Sequence, residues 1–77
     1  MTDIEKLAHE IGDNFFHDNW MEVVGAMVIG DEIYIRGFDG GFPHAHATAK
    51  FDLKTHNFLK SWDCYDCPIT VKDGVFV

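Results

Sequence analysis

Two cysteines three apart, Cys64 and Cys67, lie in the stretch SWDCYDCP, each behind an aspartate, and His44 and His46 stand two apart in PHAHAT. Thiolate and imidazole are zinc ligands, and C-x-x-C has zinc-knuckle spacing. On a strand, alternate positions would put both imidazoles on one face. Four donors of the right type are therefore present. Against a metal site, a knuckle turns the backbone around its ion with glycine or small residues, whereas Tyr65 and Asp66 fill the gap here. The histidines would also have to leave the polar face of their strand. A redox pair would need its first cysteine at a helix N-terminus, where the dipole favours thiolate. Ile69, Thr70 and Val71 instead favour extended chain, and Asp63 and Asp66 disfavour a thiolate. The expectation is no cofactor and no metal, with a small zinc-binding structural module of His44, His46, Cys64 and Cys67 as the alternative.

Catalysis has less to stand on. His9, Asp13 and His17 recur along one helix face, but polar residues four apart are ordinary on a solvated surface. No glycine-rich phosphate loop precedes a helix, and Ser61, the only serine, is in no nucleophile elbow. The chain is expected not to be an enzyme.

The elements that must position these residues follow from periodicity. Thr2, Asp3, Ile4 and Glu5 have the form of a capping box. Ile4, Leu7, Ala8, Ile11 and Phe15 recur at helical spacing, with Asp3, Lys6, Glu10, Asp13 and His17 opposite. An amphipathic helix is predicted from the capping box to about residue 16, since one more turn would carry Asp18 onto the apolar stripe. Residues 23–29 read as a strand buried on both faces. Gly30-Asp31 is a hairpin signal, and residues 32–36 form the returning strand. From His44 to Leu53 apolar and polar residues alternate strictly, with Ala45, Ala47, Ala49, Phe51 and Leu53 inward and His44, His46, Thr48, Lys50 and Asp52 toward solvent. A tight turn over residues 54–57, with Asn57 the candidate for left-handed backbone, leads to a strand over residues 58–63. Residues 69–72 and 75–77 are expected to complete the sheet, as one bent strand or as a hairpin across Asp73-Gly74. The fold class is α+β: an N-terminal helix packed on an antiparallel meander of four to five strands.

Length and charge bound the rest. Seventy-seven residues make a single domain, 1–77, near the lower limit for a self-sufficient core. Forty-seven per cent hydrophobic residues exclude the disordered class. No apolar run could span a bilayer, and the start lacks the basic and apolar regions of a signal peptide, so a cytoplasmic location is expected, with reduced thiols. The formal charge of −7 argues against direct binding to nucleic acid or anionic membrane. All of it lies in residues 1–32, where eight carboxylates face Lys6 alone; charges cancel over residues 33–77.

Three surface features remain. Asp3, Glu10 and Asp13 form an acidic helix face that Asp31 and Glu32 would extend if the helix packs toward the first hairpin. Eleven aromatic residues exceed what one sheet face usually hides, and Phe16 and Trp20 are expected as partner anchors or as cover for the second sheet face. A sheet edge is free to pair with another copy, and a second copy docking on the uncovered sheet face is slightly favoured. Acidity that only confers solubility, over a core rich in aromatics, is the plain alternative.

In size, acidity and α-plus-meander patterning, the whole chain resembles the small phage-encoded inhibitors of bacterial defence, anti-CRISPR proteins in particular. The resemblance rests on no motif and transfers no functional residue. It implies stoichiometric binding, in the bacterial host cytoplasm, to a Cas subunit or surveillance complex, often by blocking target DNA. The charge itself suits a partner with a basic nucleic-acid-binding groove, in which the carboxylates stand where phosphates would lie, and equally a neutraliser of a toxin or of another nuclease.

Overall fold

A computed structural model describes residues 3–18, 21–38, 46–63 and 69, and the backbone of 71, 72, 75 and 76. The elements are α1 (Asp3–Asp18), β1 (Glu22–Ile29), β2 (Glu32–Phe38), β3 (His46–Asp52), β4 (Phe58–Asp63), β5 (Val71–Lys72) and β6 (Val75–Phe76). The fold is α+β, one helix on a four-stranded antiparallel meander in the order β1-β2-β3-β4. The expectation that the last segments complete this sheet is corrected. β5 and β6 pair with each other, as the hairpin alternative has it, in a separate two-stranded sheet that approaches β1.

α1 carries Asp3 and Glu5 in its first turn, where carboxylates complement the positive end of the helix dipole. It runs two residues past the expected end. Asp18 lies at the helix terminus with its side chain in solvent, so its place on the stripe incurs no burial. The N–H of Met21 donates to the carbonyl of Phe16 at 2.8 Å, a six-residue closure of the kind that ends helices.

Both predicted turns form. Between β1 and β2, Gly30 alone has positive φ, at 60°, which is where a type II′ hairpin places glycine. Between β3 and β4, one carboxylate oxygen of Asp52 accepts the N–H groups of Lys54 and Thr55, each at 2.9 Å. These bonds hold the Asp52 carboxyl below the ordinary carboxylate range, with the Thr55 N–H contributing most. The left-handed residue is His56 (φ 65°), not Asn57. The Asp52 cap fixes the chain through Thr55, and the Asn57 carbonyl is already engaged by the Asp52 N–H at 2.9 Å, so the reversal falls on His56.

The core lies between α1 and one sheet face: Ala8, Ile11 and Phe16 against Ile33, Ile35, Ala49 and Phe51. Gly37 permits the closest approach, because a Cβ there would overlap the Phe16 ring. Phe15, Phe16, Phe51 and Phe58 extend this core as an aromatic cluster, Phe15 stacking on Phe58 at 5.2 Å and meeting Phe16 edge-on at 5.0 Å.

Burial on the strands departs from expectation in two ways. β1 is an edge strand, not one buried on both faces, and Val24 and Ile29 are half exposed. The doubly buried strand is β2, with Ile33 and Ile35 toward the helix and Tyr34 and Arg36 on the other side. The polar face of β3 is likewise not all solvent. Thr48 is fully buried and accepts a hydrogen bond from Nη1 of the fully buried Arg36 at 3.0 Å, since register places the two side by side. Tyr34, Arg36 and Thr48 are thus buried within a single chain, and covering the second face at these residues does not require another copy.

Candidate functional site

The acidic surface follows from the direction of α1. Gly12 lies over Ile35 and Phe16 over Gly37, so the helix runs in the direction of β2. Nine helical residues and four strand residues both span about 13 Å, which brings Asp3 level with Asp31 at the first hairpin. Asp3, Glu10 and Asp13 are all exposed, as is Asp31, whose carbonyl accepts the Leu53 N–H at 2.9 Å. Asp13 also holds Nδ1 of His9 at 2.9 Å across one helical turn.

Two expected members do not belong. The Glu32 carboxylate is held by Nζ of Lys50 at 3.3 Å on the sheet face away from α1, so its charge is locally compensated. Phe16 has no exposed surface and sits between the helix and Gly37; it is a core residue, not a partner anchor or a cover for the second face. Its ring lies on the buried side of α1 that Ala8, Ile11 and Gly12 share, at the edge of the apolar stripe read from the sequence. Trp20 lies outside the described residues.

Two carboxylates join the surface unforeseen. Asp18 and Glu22 are exposed and, with His17 and Met21, line an open cleft of about 470 Å³ where α1 passes into β1. Both belong to the eight carboxylates counted in residues 1–32, but the sequence reading assigned neither to a surface. Exposed carboxylates therefore occur along the whole of α1 but not on one face: Asp3, Glu10 and Asp13 lie opposite the apolar stripe, whereas Asp18 lies on the stripe side at the C-terminal end, with Lys6 the only lysine or arginine on the helix. The other lysines described with their side chains, Lys50, Lys54 and Lys60, lie on β3, β4 and the turn between them.

The second sheet face carries a ladder that the sequence reading did not assemble. Tyr34 stacks on Trp62 at 6.0 Å, Lys50 lies 5.9 Å from the Tyr34 ring centre, and Lys60 lies 5.4 Å from that of Trp62. Strand parity and register together would have found it, since Tyr34, Lys50 and Lys60 form one row and Arg36, Thr48 and Trp62 the next. Tyr34 and Arg36 are buried, so these contacts hold strands together and offer no open platform.

Of the zinc alternative only His46 is described, its ring 4.5 Å from that of Phe38; His44, Cys64 and Cys67 lie outside the described residues. Among the described residues no three His, Cys, Asp or Glu side chains are grouped to hold a metal ion, and no helix is long and apolar enough to cross a membrane. No protein-family model, curated protein or solved structure matches the chain.

Proposed function

We propose that the chain is a non-enzymatic acidic binding protein of the anti-CRISPR type, which inhibits a nucleic-acid-binding partner by occupying its basic DNA-binding surface. The observation that carries this reading is the exposed acidic face of α1 formed by Asp3, Glu10 and Asp13, with exposed Asp31 level with its start and Asp18 and Glu22 exposed near its C-terminal end. A 16-residue helix is about 24 Å long, roughly the rise of seven base pairs, so its carboxylates can engage several phosphate-binding cations at once. Concentrating the charge on one side of the molecule favours oriented capture over mere solubility, because a solubilising charge has no need to be one-sided. The partner in this reading is a Cas subunit or another protein with a basic nucleic-acid groove, in the cytoplasm of a bacterial host.

Such a complex weakens steeply with salt. Reversing Asp3, Glu10 and Asp13 to lysine abolishes it, whereas reversing exposed Asp63 on β4 leaves it largely intact. Asp52 does not serve as that control, because its carboxylate caps the β3–β4 turn. Equal losses from both sets of reversals would refute the reading.

A further inference from the structure

We propose that the outer edge of β4 is a self-association site, at which two copies pair antiparallel about a two-fold axis through Ser61 to form one continuous eight-stranded sheet. Among the described residues β4 pairs with β3 alone, and Phe58, Leu59, Lys60, Ser61 and Asp63 are all exposed. Among the described residues, Phe58 and Leu59 are two of the five large apolar side chains left in solvent, 49% and 45% exposed. The opposite edge differs in that β1 has β6 beside it.

The distribution of charge selects a second copy as the occupant. Most of the exposed carboxylates lie on α1 and at the start of β1, two strands away from β4, while on the β3–β4 side Lys50, Lys54 and Lys60 stand with Asp52 and Asp63, so that this edge carries little net charge. Two copies meeting at β4 keep their acidic helices at opposite ends of the joint sheet. A meeting through α1 or the start of β1 would bring them together.

Side-chain parity then selects the register. A two-fold axis normal to the sheet keeps the faces of both copies aligned, so only residues of the same face can lie opposite one another. Centring on Lys60 would set the two ammonium groups face to face. Centring on Ser61 sets each Lys60 opposite the partner copy's Trp62, repeating across the edge the cation-over-ring contact made within one chain at 5.4 Å, and leaves the two serine hydroxyls to bond each other. Lysine and bulges usually discourage edge pairing. Here the bulge at Leu59, where the register shifts between Lys50 and Phe51, lies at one end of the paired segment, and Lys60 disfavours the register centred on itself. Pairing consumes both edges, so it closes at two copies.

The test uses the full chain alone. Sedimentation across a dilution series is run on the wild type, on Ser61→Lys and on Asn14→Lys, which makes the same charge change on the exposed helix surface. Amide exchange of residues 58–63 is followed at both ends of the series. The expected result is a monomer–dimer equilibrium weakened about tenfold by Ser61→Lys, which sets like charges opposite each other at the axis, and not weakened by Asn14→Lys. Exchange of residues 58–63 should slow as concentration rises. A wild type that stays monomeric at high concentration and high salt overturns the proposal. So does a dimer that Ser61→Lys does not weaken, or one whose β4 amides exchange at the same rate as in the monomer.

Discussion

Phe16 and Asp52 each have a role that their residue type alone does not announce. An aromatic beside a helix end reads as surface or core with equal ease; what decides is Gly37, twenty-one positions on, whose missing side chain admits the ring. Phe16→Ala should therefore cost about 3–5 kcal/mol, a large part of the stability of a chain this size, whereas a surface anchor would cost little. Urea denaturation decides between them. Asp52 reads as one more surface carboxylate, yet its side chain organises the β3–β4 turn. Its folded pKa lies below the unfolded value, so its contribution is fully present above the unfolded pKa of about 4 and is lost as pH falls through the folded value. Asp52→Asn keeps an acceptor oxygen but no titration. The wild type should thus lose stability more steeply than the variant when denaturation is repeated below about pH 4. Equal acid sensitivity would exclude this role.

At the scale of elements, what is repeated locally was legible and what depends on a neighbour was not. The Gly30-Asp31 hairpin and the span of β4 are properties of short stretches and form as read, and a strand forms in the alternating stretch as β3, although its polar face buries Thr48. Whether a strand is central or an edge depends on sheet order. β1 has the apolar run of a buried strand, yet it occupies an edge, while β2, with Arg36 in it, is buried on both faces. Bulges are also invisible to periodicity. The register slips at Val24 in β1 and at Leu59 in β4, and each inserted residue is one of the exposed apolar side chains. Val24→Lys should consequently change stability by less than about 0.5 kcal/mol, while Ile35→Ala, at the centre of β2, should cost about 2–5 kcal/mol. Thermal unfolding of the two variants checks this order, and a large loss from Val24→Lys would place β1 in the interior.

For the whole molecule, the sequence disclosed that the charge is uneven along the chain but not how that unevenness lies in space. The fold gathers the excess along α1 and at the start of β1, while on the β3–β4 side Lys50, Lys54 and Lys60 are largely balanced by Asp52 and Asp63. Asp18 and Glu22 are exposed near the C-terminal end of α1 but off the face of Asp3, Glu10 and Asp13, and Glu32 is paired with Lys50 across β2 and β3. The central claim is that the acidic face of α1 occupies a basic nucleic-acid-binding surface. The most direct test uses wild-type chain, Asp63→Lys chain and the combined Asp3→Lys, Glu10→Lys, Asp13→Lys chain as baits in bacterial lysate over a salt series. DNA binding by the captured protein is then measured with each chain added. The account predicts a nucleic-acid-binding protein retained at low salt by the first two baits and lost from the third, whose DNA binding the wild-type chain blocks at about one-to-one stoichiometry. Capture that the triple variant retains, capture insensitive to salt, or a captured protein that still binds DNA with the chain in excess would contradict it.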